Sequence, residues 1–242
     1  MGFLNVEGLS KSFGGLMAIH DLDFWMDEGE IIGIIGPNGS GKTTFLNLLT
    51  GFLKPDCGKI TFRGENIAGF PRYQVCQKGI ARTFQLSKPF LDFTVLQNVL
   101  VGRMYGQEPS RNMRIARDES KEILELVGLL GKAEILVKDL TVMQRKRLEL
   151  ARALATRPAL ILLDELMAGL NLTEADDACK LITRIRDSKV SVIIVEHIVK
   201  AVTCISDRIF VLNMGELIAE GSPQEIVHNP NVIEVYLGKS HA

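Results

Sequence analysis

The chain has 242 residues, enough to bury a sizeable core, and this length fits one large α/β domain or a domain carrying an inserted subdomain. Charged residues make up 24% and the formal net charge is −1, with Lys and Arg in no dense block, so no nucleic-acid surface is advertised. Four cysteines, at 57, 76, 179 and 204, form no C-x-x-C pair and have no His at ligand spacing, which argues against structural zinc and suits a reducing compartment.

The N-terminus MGFLNVEGLSKSFGG lacks a signal peptide's apolar core, and Val6 departs from the myristoylation pattern. No apolar run approaches the roughly 20 residues needed to cross a bilayer, so a soluble, cytoplasmic chain is expected. In LMAIHDLDFWM, residues 16–26, Leu22, Phe24 and Met26 share one face and Asp21 and Asp23 the other, which predicts a half-buried strand. DEGE turns the chain. IIGIIG then reads as an apolar strand ending in glycine, and TTFLNLLTG as a helix closed by Gly51 at C′. CGKITFRGENI predicts a further hairpin strand with Gly64 in its turn, followed by a Pro- and Gly-containing connection near 69–71.

From about residue 92 to 154 the apolar spacing becomes three and four, in DFTVLQNVLVG, DESKEILELVGLL and QRKRLELARALA, which predicts a helical insert. Strand-type runs return as ALILLDE, VSVIIVEH and RIFVLNMGELIAEG, with a helix near 173–187, the α/β alternation of a parallel sheet. Ser222, Pro223 and Glu225 form a capping box opening the last helical stretch. There is no internal repeat and no low-complexity segment.

Two motifs carry chemistry. GPNGSGKT, residues 36–43, matches G-x-x-x-x-G-K-[ST] between a strand and a helix. Glycines at 36, 39 and 41 let the backbone N–H groups of Gly36, Pro37, Asn38, Gly39, Ser40 and Gly41 (proline excepted) curl around phosphates. The helix start at Thr43 and Thr44 points its positive end at them, Lys42 adds a point charge, and Thr43 can hold Mg²⁺. LILLDE, residues 160–165, ends a strand in two acids: Asp164 is expected to bind Mg²⁺ through water and Glu165 to polarise the attacking water.

Together these motifs resemble the ATP-binding subunit of an ABC transporter, over almost the whole chain. On that resemblance KSFGG places Phe13 where the family stacks an aromatic on adenine, GIARTFQ supplies the loop glutamine Gln85, a further metal-site residue, and IIVEH ends at His197, the γ-phosphate-sensing histidine. Glu165, His197 and Gln85 are then the expected catalytic set, with ATP and Mg²⁺ as cofactors and Thr43, Gln85 and Asp164 around the metal. The implied fold is α/β: a P-loop (RecA-like) ABC ATPase core with an antiparallel β subdomain and an inserted helical subdomain. One ABC ATPase domain would fill 1–242, its core and β subdomain lying in 1–87 and 155–242 and its helical subdomain in 88–154.

FGGLMAI, GIARTFQ, MAGLN and GELIAEGSPQEI followed by VYLG look most like the ATPases of branched-chain, hydrophobic amino acid importers. Urea or amide importers and the lipopolysaccharide-export ATPase are the nearest alternatives. A non-transport ABC ATPase, or a nucleotide-binding regulator with impaired turnover, is a more distant one. The resemblance also implies partners: a second ATPase subunit paired head to tail, transmembrane permease subunits, and an external solute-binding protein acting indirectly, at the cytoplasmic face of the inner or plasma membrane and with no nucleic acid. Residues 86–99, including Phe90 and Phe93, would either line the permease groove or pack under the insert.

The family's signature loop reads close to L-S-G-G-Q, and this chain reads LTVMQ: Leu140, Thr141 and Gln144 fit, while Val142 and Met143 replace both glycines. A T-x-x-Q capping box survives, with Thr141 as N-cap and Gln144 at N3, the two residues expected to approach nucleotide. Side chains at 142 and 143 are expected to obstruct contact with the partner's γ-phosphate, and a positive φ at either would add strain of about 1–3 kcal/mol. A heterodimer with a subunit whose signature is intact is favoured, although a homodimer stays open.

Overall fold

The computed structural model describes residues 2–84, 89–196 and 199–237. In chain order the elements are β1 (Leu4–Phe13), β2 (Leu16–Met26), β3 (Ile31–Ile35), α1 (Lys42–Leu49), β4 (Cys57–Phe62), β5 (Glu65–Asn66), α2 (Arg72–Gln77), β6 (Ile80–Arg82), α3 (Val95–Tyr105) and α4 (Met113–Leu126). Two short 3₁₀ turns lead to α5 (Val142–Ala155), β7 (Leu160–Asp164), α6 (Leu172–Asp187), β8 (Ser191–Val195), α7 (Val199–Ile205), β9 (Arg208–Asn213), β10 (Glu216–Gly221), α8 (Pro223–Val227) and α9 (Pro230–Leu237). Contacts divide the chain into two compact units: Met1–Arg72 together with Met167–Ala242, and Tyr73–Leu166.

The first unit holds an antiparallel sheet ordered β2-β1-β4-β5. On β2 the alternation behaves as expected: Leu22, Phe24 and Met26 are buried and Asp21 and Asp23 exposed. Arg63 (φ 48°) and Gly64 (φ 81°) are both left-handed, which gives the two-residue turn that joins β4 to β5 without splaying them. β1 has no counterpart in the expected elements. Its register shifts between Val6 and Leu9, around Gly8 at φ 57°, and this irregularity breaks the period-two pattern by which a strand is read.

In the same unit β3 runs parallel to both β8 and β9. All residues of β3 and β8 are buried, so these strands read as unbroken apolar runs instead of alternating ones. The run 208–221, expected as parallel-sheet material, is so in its first half, β9, while its second half folds back as a hairpin, with β10 antiparallel to β9. Met214 (φ 49°) and Gly215 (φ 85°) reverse the chain there. Ile35, Val202, Ile209, Val211, Ile226 and Val232 form one buried cluster, which ties α7, α8 and α9 to the end of β3. The expected capping box at Ser222 and Glu225 opens α8.

In the second unit β6 pairs in parallel with β7, Arg82 lying opposite Leu162. The helical spacing of 92–154 resolves into α3, α4 and α5. A Cβ on Gly102 of α3 would meet the Arg152 carbonyl of α5 at 2.5 Å, so glycine permits the close approach of these two helices. Asn98, fully buried on α3, donates to the Phe90 and Thr94 carbonyls at 3.0 Å and accepts the Phe90 N–H at 2.9 Å, so its amide fastens the preceding loop.

Candidate functional site

In the first unit, the phosphate-loop motif occupies the connection from β3 to α1. Where α3, α4, α5, α6 and α8 each begin with a side chain accepting from their first turn, α1 begins at Gly41 (φ 104°) with no side-chain cap and no acidic residue in its first turn. Its leading N–H groups and the positive end of its dipole are thus presented to an anion. At two of its glycines no other residue fits. A Cβ at Gly36 (φ 153°) would stand 2.1 Å from the Leu212 carbonyl, and one at Gly41 would stand 2.7 Å from the Ala18 carbonyl. A Cβ at Gly39 (φ 80°) would meet no atom within 4 Å, so there glycine serves only the backbone turn.

Lys42 is 6% exposed, and its ammonium donates to the carbonyls of Gly36 (2.8 Å) and Pro37 (2.9 Å) and lies 3.4 Å from Ser40 Oγ. A buried ammonium needs such acceptors, and a phosphate oxygen is a stronger one than a neutral carbonyl. Thr43 is exposed, Thr44 half-buried, Pro37 half-buried and Asn38 exposed. The Gly215 N–H donates to the Ser40 carbonyl at 3.0 Å and its own carbonyl accepts from His20 at 2.9 Å, so the β9–β10 hairpin and β2 brace the loop. Tyr236 on α9 belongs to the same neighbourhood: burial pushes its phenol up, while a hydrogen bond with the Gly36 backbone acts the other way. Tyr236 lies in the VYLG segment of the resemblance, but no spacing rule points it at the phosphate loop, because its place depends on Val232, four residues earlier, packing beside Ile35.

Phe13, at the end of β1, is 47% exposed, so its ring is not a core residue, and the Lys11 ammonium sits 5.8 Å from its centroid. Glu196, buried at 1% exposure, accepts the Met167 N–H at 2.6 Å and so fixes the start of MAGLN. His197 lies outside the described residues, as does Gln85.

In the second unit, Asp164 ends β7 at 6% exposure, and its Oδ2 accepts from the Arg82 guanidinium at 2.7 Å. Its N–H donates to Thr83 Oγ1 at 3.2 Å. Glu165, the next residue, takes φ 50°, a left-handed conformation that costs a non-glycine residue about 1–3 kcal/mol unless the surroundings enforce it. Sequence reasoning misses Arg82; an arginine on a short three-residue strand carries no pattern until the pairing of β6 with β7 is known.

The signature segment also lies in this unit. The expected capping box is formed: Gln144 N–H donates to Thr141 Oγ1 at 3.3 Å and Thr141 N–H to Gln144 Oε1 at 3.1 Å. Val142 and Met143 are the first two residues of α5 and neither has positive φ, so the expected possibility of backbone strain there is not realised. A helical N1 or N2 position accepts any L-residue. What remains is bulk, since Val142 is 75% exposed at the helix start. Phe90 and Phe93 are 44% and 45% exposed with ring centroids 5.3 Å apart, and the Arg152 guanidinium lies 5.4 Å from Phe90. They are half-covered, consistent with neither full packing nor full exposure.

Comparison with known proteins assigns the family. The ABC transporter family matches residues 19–168, and the family described as branched-chain amino acid ATP-binding cassette transporter matches residues 216–242. The chain is 40% identical over 250 residues to the high-affinity branched-chain amino acid transport ATP-binding protein LivG of Salmonella typhimurium, covering 98% of each. It is 32% identical over 239 residues to the lipopolysaccharide export system ATP-binding protein LptB of Haemophilus influenzae, covering 99% of this chain and 98% of the relative. The solved ADP conformation of MJ1267, an ATP-binding cassette of an ABC transporter, superposes with a TM-score of 0.90 at 31% identity, covering 99% of this chain and 100% of that one. With its uncapped phosphate-loop helix and acidic strand end, the chain therefore belongs to the ABC transporter family and is an ABC-type ATPase.

Proposed function

We propose that this chain energises the import of branched-chain or other hydrophobic amino acids, as a peripheral subunit held at the cytoplasmic face of the membrane by permease subunits. The observation that carries the reading is the likeness at both ends of the chain: the cassette family over 19–168 and the branched-chain family over 216–242. Among the described residues no helix is long and apolar enough to cross a membrane, and the reading assigns membrane attachment to the permease subunits. The higher identity to LivG than to LptB favours import over lipopolysaccharide export.

In this reading the phosphates of ATP replace the carbonyl acceptors around the Lys42 ammonium and take the N–H groups at the start of α1, while Phe13 offers an accessible ring to adenine. The donor set suits Mg²⁺. Thr43 and Asp164 each carry a hard oxygen of the kind Mg²⁺ takes, and the resemblance alone brings them to one metal. Bound Mg²⁺ supplies neutralisation of charge at the β- and γ-phosphates. Glu165 orients and polarises the attacking water, and Gln85 and His197 complete the set by resemblance alone.

The partner subunit is a different ATPase with a glycine-containing signature. The side chain of Val142 is largely exposed at N1 of α5, and this bulk where the family has glycine supports reading the composite site that uses this segment as the weaker of two. Purification from native membranes, followed by reconstitution in vesicles with the co-purifying subunits and binding protein, tests the proposal. ATP hydrolysis stimulated by leucine, isoleucine or valine is the expected result. Stimulation by urea or a short amide alone, or association with lipopolysaccharide-export components, would replace it.

A further inference from the structure

We infer that Arg82 is the positioning residue of the acidic strand end: it holds the Asp164 carboxylate in the orientation from which that residue serves the metal, and it steadies the left-handed turn into Glu165. The inference rests on the reading of Asp164 as a metal-site residue. Arg82 and Asp164 side chains are 5% and 6% exposed and meet at 2.7 Å. A buried ion pair contributes little net stability, because the desolvation of both charges offsets their attraction, so stability alone does not account for this one. The geometry supplies another role.

Three consecutive residues at the end of β6 act on the same spot. Arg82 holds the Oδ2 oxygen of the Asp164 carboxylate. Thr83 donates its N–H to the Leu162 carbonyl at 2.9 Å and accepts the Asp164 N–H with its hydroxyl, so the strand is continued beyond its last paired residue. The ring of Phe84 lies 5.4 Å from the Arg82 guanidinium, and its N–H donates to Glu149 of α5 at 2.5 Å. The side chain and backbone of Asp164 are thus both fixed. A left-handed glutamate at 165 is the kind of conformation that persists only where neighbours over-determine it, and Asp164 is its immediate neighbour. Lysine would not replace Arg82 fully, because a guanidinium offers a planar fork and a stacking face where an ammonium offers a point charge.

The test compares the affinity of the purified chain for a fluorescent ATP analogue with Mg²⁺ present and with Mg²⁺ chelated. For Arg82→Gln the Mg²⁺-dependent gain in affinity should fall by about 10- to 100-fold, the range over which partners of metal ligands act, while metal-free affinity is retained. Arg82→Lys should show a smaller loss of the same kind and decides the matter if the glutamine variant fails to fold, as judged by circular dichroism. A folded Arg82 variant with the parental Mg²⁺-dependent gain, even one that melts earlier, makes the pair merely structural and overturns the inference. Asp164→Asn is the control on the underlying reading. If it too leaves the gain unchanged, the metal assignment itself fails; if it abolishes the gain while Arg82 variants do not, only the role of Arg82 fails.

Discussion

Replacing Gly36 with alanine tests whether the phosphate loop is as sterically determined as its contacts indicate. The new methyl would lie 2.1 Å from the Leu212 carbonyl oxygen, 2.7 Å from Ser40 Oγ and 3.1 Å from the Leu212 carbonyl carbon. The hydroxyl of Ser40 can rotate, but the Leu212 carbonyl belongs to β9, which is paired with β3 on one side and β10 on the other, and cannot yield cheaply. Overpacking against such backbone costs about 1–3 kcal/mol. The φ of 153° at Gly36 adds about 1–3 kcal/mol of backbone strain. Together these predict a loss of about 2–6 kcal/mol, which for a chain of this size lowers the melting temperature by about 4–24 °C. Gly39→Ala is the companion: with φ 80° and no atom within 4 Å, it incurs only the left-handed cost, about 1–2 kcal/mol. Thermal melting without nucleotide should rank the parent above Gly39→Ala and that above Gly36→Ala. Equal melting of the two variants, or a Gly36→Ala protein within about 2 °C of the parent, would refute the steric reasoning.

Other expectations follow from the same contacts. Glu165→Gln should retain ATP binding while turnover falls by about 10²- to 10⁴-fold, the usual contribution of a general base; turnover within a few-fold of the parent would remove Glu165 from that role. Phe13→Ala should weaken adenine nucleotides by about 0.5–1.5 kcal/mol in a binding titration and leave the melting temperature nearly unchanged, because its ring is 47% exposed; the reverse pattern would make it a packing residue. Val142→Gly with Met143→Gly should raise ATP-dependent association of the chain, and since neither position has positive φ the gain comes from removed bulk, so Val142→Ala should recover part of it. Flat association in a folded double variant would mean that the departure from the signature is harmless. Finally, the Lys11 side chain and then the Ser12 backbone and hydroxyl lower Asp56 to about 2. A depressed carboxylate contributes stability above its unfolded value of about 3.9 and loses it as pH falls toward its folded value. Asp56→Asn should therefore flatten the drop in melting temperature between about pH 4 and pH 2, and an unchanged slope would show the pair to be solvent-screened.

Features whose physics is local could be read from the residues alone. The phosphate loop was legible because glycine, lysine and threonine at fixed spacing between an apolar run and a helix answer one need, the close approach of backbone to phosphate. The capping boxes at Thr94, Thr141, Asn171 and Ser222 also rest on neighbours three residues apart, and those at Thr141 and Ser222 were readable as such. β8 and the helices of 92–154 were legible from unbroken and three-four apolar patterns. Features that depend on residues far apart in the chain emerged with packing. β1 hides behind its bulges until β2 and β4 pair with it, and β6, three residues long, exists because β7 lies beside it. The run 208–221 carries apolar residues that suit either sheet direction: β9 joins the parallel sheet beside β3, and the left-handed pair Met214–Gly215 turns β10 antiparallel to it. Arg82 and Asp164 are 82 residues apart, and Val232 and Ile35 lie at opposite ends of the chain. No spacing rule links such pairs, because a buried charge and a buried methyl find their partners only when the strands and helices that carry them have packed.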